Sequence, residues 1–561
     1  MKKERNYWID VLQKHLSRRQ ALRAAARAGL GMTGLALLGC AAAPAPTPTK
    51  APSAAATPKA PAATPAPAVK AALEKVVFSY QEDPTSLDTH LDSGRAAVAL
   101  HDLLYDGLYR WSQELKLVPM LAQSHRLIDD LTWEFKLRPG VKFHNGEDFT
   151  AEVIRFNVER HQDAAFKSRY ISDYNDITKV EVVDRSTVRL VTKAPNPTVP
   201  LKFVQSMIAP MQYVKEKGNP ALTTQPVGTG AYKFIKWAKD DFIELEANEA
   251  YWGWQKGGPF EKAGRIKKLT FRVIPDQSAR IGALKTGAID FFHNISADFY
   301  KSVQENPDLD LIENKAATQP FITISELKEG PLRDKRVRQA LNYAVDVETI
   351  RKSLLGGVPD RIASFLGSAF ELSYDPNLKP YPHDPKKAKD LMAAAGYPDG
   401  FEIVFDNAEA GHEKQKEVVQ AVADNLGQVG IKAAIKPHAR AEDFNATAKK
   451  AGNGPVGILY DTAGTSRIDP DFLLWDKIHS KAVRNFGYYS NPTADKLIED
   501  ARSTMDPEKR RKMYLELMRL LYDDPPCIFL WQGKYTFAYN KKKLPGLRTV
   551  LWMPAFYDYT V

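Results

Sequence analysis

Along residues 131–160 the spacing of apolar positions changes period once. Leu131, Trp133, Phe135 and Leu137 alternate with Thr132, Glu134 and Lys136, which predicts a strand with one face on a core. Pro139-Gly140 and Asn145-Gly146 then mark turns, because proline presets φ and glycine admits φ > 0. Past them Val153, Ile154, Phe156, Asn157 and Val158 share the inner face of a helix. Thr150 is expected to cap that helix, and Glu152 sits in the first turn, where the helix dipole favours an anion.

The same reading extends along the chain. Val76–Tyr80 predicts a strand, 94–108 a helix, and Val180–Asp184 with Thr187–Val191 a hairpin. In the second half Asp334 is a cap signal for a helix start, and Asp384-Pro385, Asn491-Pro492 and Asp506-Pro507 are cap-then-proline signals. Val337, Ala340, Leu341 and Ala344 form one inner face; Ala388, Leu391, Met392 and Ala395 form another, closed by Gly396. Val418, Val422, Leu426 and Val429 stripe a third helix, which stops at Gly430 before a strand from Ile431 to Ile435. Helices alternating with short strands predict an α/β protein. Gly228-Thr229-Gly230 reads as a turn and not a nucleotide loop, since no Lys-Ser/Thr follows and Tyr232, Phe234 and Trp237 continue as a strand.

At 561 residues the chain exceeds one core and implies two or three domains. The net charge of +10 is concentrated at the start: residues 1–39 carry +6, Lys50, Lys59 and Lys70 add three, and the remainder is left with +1. A nearly neutral body argues against a nucleic-acid surface. Residues 1–40 read as an export signal, with Ala28–Gly39 too short for a confident membrane span. Ser17-Arg18-Arg19-Gln20-Ala21-Leu22 looks like a twin-arginine signal and Leu37-Leu38-Gly39-Cys40 like a lipobox. Twin-arginine and general secretory export both stay open, and Cys40 is the expected acylated residue. Residues 41–72 form a tether, Pro/Ala/Thr-rich through residue 70, that favours extended polyproline II. Cys527, in an apolar run, is expected to be a buried, unreactive thiol.

Catalytic chemistry is not signalled. His412-Glu413 lacks the second histidine of a zinc helix, no Gly-x-Ser-x-Gly elbow occurs, and no metal-ligand spacing or cofactor motif stands out.

Several runs carry a family resemblance: FKLRPGVKFHNGEDFTAEVIRFNVER, PVGTGAY, NEAYW, ALKTGAID, PLRDKRVRQALNYAVDVETI and YPHDPKKAKDLMAAAGYPDGFEI. Together they resemble the extracytoplasmic solute-binding proteins of ABC importers, family 5, which includes peptide-, dipeptide- and nickel-binding proteins. The resemblance spans 73–561. It implies a two-lobed α/β periplasmic-binding-protein (Venus-flytrap) fold with an extra subdomain. Lobe one would comprise 73–106, 225–305 and 515–561, the subdomain 107–224, and lobe two 306–514. The implied function is capture of a small organic solute, an oligopeptide or dipeptide, between the lobes for delivery to a membrane permease and ATPase. The protein would be an extracytoplasmic, lipid-anchored monomer without a cofactor. Metal or metallophore binding on the same fold is the alternative, with a secreted hydrolase or a chaperone or sensor behind it.

In peptide-binding relatives an Asp beside an aromatic residue, upstream of an Asp-Pro, pairs with the ligand ammonium. The matching region is Leu459–Pro470, with Asp461 after Tyr460; Asp461 reads either as that anchor or as a turn-capping aspartate. Arg467 reads as a bidentate partner for a ligand carboxylate or as a loop arginine. Ser86, Tyr105, Phe321 and Asn485 complete the candidate ligand-binding residues.

Overall fold

A computed structural model describes residues 73–326, 330–408, 412–438 and 457–559. The expectations for the export signal, Cys40 and the tether lie outside the described residues.

Three sheets organise the body. The largest has seven strands in the order Leu309–Lys315, Lys534–Asn540, Phe291–His293, Leu73–Tyr80, Ile266–Val273, Phe242–Ala247, Tyr232–Ala238. Leu73–Tyr80 runs parallel to both of its neighbours and the outer pairs are antiparallel. Phe78, Phe271, Phe291 and Phe556 pack edge to face on this sheet. A second sheet of five strands has the order Ile431–His438, Phe401–Ala408, Gly457–Gly464, Thr318–Ile324, Cys527–Phe529. One core lies against helices Lys335–Ala344, Pro385–Ala394 and Gln415–Gln428. A further core gathers Phe321 and Phe529 with helices Pro470–Lys477, Pro492–Ser503 and Pro507–Asp523. The third sheet, four antiparallel strands within 122–192, contains the Thr132–Leu137 strand and the expected hairpin.

The helix starts follow the sequence signals. Asp334, Asp384, Asn491 and Asp506 each accept a backbone N–H of the first turn through the side chain. Thr150 departs from expectation: it precedes the helix Ala151–Gln162 in extended geometry, but its side chain makes no capping bond. The Ala151 N–H donates instead to the Arg185 carbonyl at 2.9 Å. The helix expected over 94–108 spans Arg95–Leu104. It ends early because the Leu104 carbonyl accepts from Gly230 N–H at 3.0 Å and Tyr105 turns extended. Cys527 is buried and free.

The chain passes between the two large sheets twice, between Lys315 and Thr318 and between Phe529 and Lys534. The two crossings are hydrogen-bonded to each other, with Ala316 N–H donating to Gly533 O at 3.1 Å and Gly533 N–H to Thr318 O at 2.9 Å.

Candidate functional site

Two of the first-half sequence motifs meet at one buried carboxylate. Asp106 accepts from Thr229 Oγ1 at 3.1 Å, Tyr251 Oη at 3.1 Å and Trp252 Nε1 at 2.9 Å, and Arg110 stands 3.6 Å away. The PVGTGAY and NEAYW elements are therefore joints around Asp106 and not contacts for a nucleotide. The ALKTGAID element ends the same way, because Asp290 accepts from Val77 N–H at 2.8 Å and Lys543 Nζ at 2.7 Å.

Beside the crossings the two lobes bring a different set of groups together. Tyr535 stands on the seven-stranded sheet just after the second crossing, with its hydroxyl 3.4 Å from Thr318 Oγ1 and its ring 5.4 Å from that of Trp552. Exposed Arg95 opens the Arg95–Leu104 helix with its guanidinium 6.0 Å from the Tyr535 ring centre. No carboxylate pairs with Arg95 among the described residues. From the other lobe comes His412. Burial lowers its pKa, Arg95 pushes it the same way and Asp461 opposes, so His412 lies within electrostatic reach of both Arg95 and Asp461.

Asp461 lies on the Gly457–Gly464 strand, opposite Phe321, and Tyr460 lies opposite Ile322. Strand alternation turns these neighbours to opposite faces. Tyr460 joins the core under the Gln415–Gln428 helix, and burial raises its hydroxyl pKa. Asp461 faces Lys477, whose ammonium lies 2.8 and 3.0 Å from its two oxygens. One of those oxygens also accepts from Thr462 N–H at 2.7 Å. Arg467 donates to Asp173 at 2.8 Å and lies over the Phe472 ring at 4.3 Å. Ser466 O accepts from Trp111 Nε1 at 2.7 Å, and its hydroxyl bonds Gln205. Ser466 and Arg467 thus latch this loop to the 107–224 segment at three points.

Tyr460, Asp461 and Phe321 therefore come together on paired strands, and Phe321 is a core residue 5.1 Å from the Phe365 ring. The other expected residues hold local structure. Ser86 Oγ accepts from Asp88 N–H at 3.0 Å, and Tyr105 donates to Leu87 O at 3.1 Å. Asn485 exchanges two bonds with the Tyr489 backbone, at 2.8 and 3.1 Å. Arg95, Tyr535 and Lys477 were not signalled by the sequence; an arginine after a glycine at a helix start carries no mark of its surroundings. Among the described residues no group of three or more His, Cys, Asp or Glu side chains could hold a metal ion, and no helix is long and apolar enough to cross a membrane.

Known proteins share this architecture. The structure of HbpA2 from Haemophilus parasuis superposes with a TM-score of 0.77 at 23% identity, covering 86% of this chain and 99% of that one. The periplasmic binding protein DppA from Helicobacter pylori, in complex with the peptide STSA, gives 0.69 at 24% identity, covering 87% and 97%. The glutathione-binding protein GsiB of Pectobacterium atrosepticum is 30% identical over 478 residues, 82% of this chain and 89% of that protein. The family description "Bacterial extracellular solute-binding proteins, family 5 Middle" matches residues 116–483. With that match and the two-lobed fold, the chain belongs to the family 5 extracellular solute-binding proteins, which capture solutes for ABC importers.

Proposed function

We propose that this protein captures a small acidic peptide of the glutathione class in the cleft beside the crossings and hands it, chemically unchanged, to an ABC permease and its ATPase. The observation that carries the reading is Arg95, a guanidinium exposed at the seam of the two lobes with no acidic partner among the described residues. A ligand carboxylate supplies that partner bidentately. The similarity to a glutathione-binding relative over most of both chains supports the same ligand class. Asp461, whose second oxygen keeps lone pairs free beside Lys477, takes the ligand ammonium, with Tyr460 and Tyr535 fixing the two strands behind them. Arg467 acts by holding the 107–224 subdomain against its own lobe through Asp173.

In this reading the lobes follow sheet membership: 73–106, 225–315 and 534–559 form one, 316–533 the other, and 107–224 the subdomain. Acylated Cys40 and the tether hold the monomeric protein outside the cytoplasmic membrane. Calorimetric titration with glutathione and with trialanine tests the proposal. Glutathione should bind at least tenfold tighter, and Arg95→Ala should remove most of that preference; equal affinities, or an unaffected variant, would reject the acidic ligand.

A further inference from the structure

Behind the crossings, away from Arg95 and Asp461, lies a second cavity of about 400 Å³. Its size suits a small metabolite. Asp360, Arg361 and Gln532, from the short antiparallel pair of Asp360–Arg361 with Trp531–Gln532, form part of its wall, and Gln532 belongs to the second crossing. Lys315, at the end of the strand that enters the first crossing, lines the same space.

Two buried donors on this wall lack acceptors. Gln532 is fully buried; its Oε1 accepts from Ala369 N–H at 2.9 Å, and its Nε2 has no hydrogen-bond partner in the protein. Arg361 uses one terminal nitrogen on the Tyr381 carbonyl, and its buried Nε is likewise unpartnered. Leaving two buried N–H groups unmade costs free energy that an acceptor in the cavity would recover. Glycine at 367 lets the chain pack against the oxygen side of this amide, since a Cβ there would stand 2.2 Å from Gln532 Oε1. Charge points the same way. The cavity's two aspartates pair with Lys534 and Arg519, at 3.5 and 2.8 Å, neither of which lines it, whereas Lys315 and Lys379 enter it without a carboxylate partner among the described residues.

We propose that this cavity is a second ligand site, for a small oxyanion of the carboxylate or phosphate type. Gln532 Nε2 and Arg361 Nε bind it, and Lys315 and Lys379 supply the counter-charge. Because Gln532 and Lys315 stand at the two crossings, its occupant stiffens the segments on which the lobes pivot. The inference is independent of which solute fills the main cleft.

The test is calorimetric titration of the purified protein with citrate and, separately, inorganic phosphate, in a buffer free of both. One saturable site per chain is expected for at least one anion, and which one binds identifies the source chemistry. Lys315→Ala/Lys379→Ala should weaken it at least tenfold and Gln532→Leu should abolish it. Cleft-ligand binding retained by the exposed double-lysine variant shows that it is folded and separates this site from the main cleft. A crystal structure with the anion should place an oxygen within hydrogen-bond distance of Gln532 Nε2. The absence of saturable binding by either anion, a double-lysine variant that binds like the parent, or a crystal showing only water or an adventitious ion on those two donors would overturn the proposal.

Discussion

Arg510 shows what a single side chain supports in this fold. It is fully buried, donates to both oxygens of Asp469 at 2.7 Å, and also bonds Ala501 O and Tyr514 Oη at 2.8 Å. Asp469 in turn caps the Pro470–Lys477 helix that carries Lys477 to Asp461. Arg510→Met would leave a buried carboxylate without its countercharge, a loss of about 3–5 kcal/mol. Urea denaturation followed by circular dichroism should show it, with part of the loss restored in Arg510→Met/Asp469→Asn; a loss below about 1 kcal/mol would contradict the account. The sequence marks Asp469-Pro470 as a helix entry and singles out Asp461. It does not reveal Arg510 or Lys477, because partners on separate helices leave no periodic trace. The same limit explains Arg95, whose importance lies in what stands opposite it.

At the scale of elements, local signals were legible wherever local chemistry decides the outcome. Four of the five expected caps form as side-chain bonds, and the hairpin and the Thr132–Leu137 strand appear as the alternation implies. The early end of the Arg95–Leu104 helix was not legible, because a loop more than a hundred residues away terminates it. Gly230 is pressed against that terminus: a Cβ there would lie 2.4 Å from the Leu104 carbonyl carbon. Gly230→Ala should therefore destabilise the protein by about 2 kcal/mol or more, through forced separation of helix and loop. Gly282, exposed within the Gln277–Lys285 helix, has nothing within 4 Å of an added Cβ. Gly282→Ala should stabilise by about 0.5–1 kcal/mol, since alanine loses less backbone entropy in a helix. Opposite shifts in melting temperature for the two substitutions are the expected result; a shift of the same sign would show that contact at Gly230 is not what restricts it.

For the whole molecule, the buried histidines set an acid limit. Burial lowers His101, His125 and His144 to about 4, and holds His90, His161 and His293 well below the ordinary value of 6.5. The His90 and His161 rings lie 3.9 Å apart, and Arg160 Nη1 stands 2.9 Å from His90 Nδ1. That nitrogen must accept, so His90 is neutral with Nε2–H donating to Met207 O at 2.8 Å. A histidine whose folded-state pKa is depressed contributes stability that is complete above the unfolded pKa, declines as pH falls below 6.5, and is lost once pH reaches the folded value. At pH 5 each of the three near 4 has lost about 2 kcal/mol. Asp102 acts in the opposite sense. Burial, the largest influence, raises it to about 6, so the penalty for its charged form shrinks as pH falls, returning about 1.4 kcal/mol between pH 7 and 5. Glu326, raised to about 8 by burial, and Asp106, Asp471, Asp476 and Asp558, also raised by burial, act in the same sense as Asp102. The carboxyls thus offset part of what the six imidazoles lose, and stability should still fall from pH 7 to pH 5. Five of these six histidines lie between His90 and His161, where the 107–224 subdomain meets the seven-stranded sheet, and none packs in the cores around the five-stranded sheet. Calorimetry should therefore record a lower transition temperature at pH 5, and hydrogen exchange should show 88–206 opening before 318–324 and 457–464. A transition temperature unchanged between pH 7 and 5 would mean that these imidazoles are not held neutral by the fold.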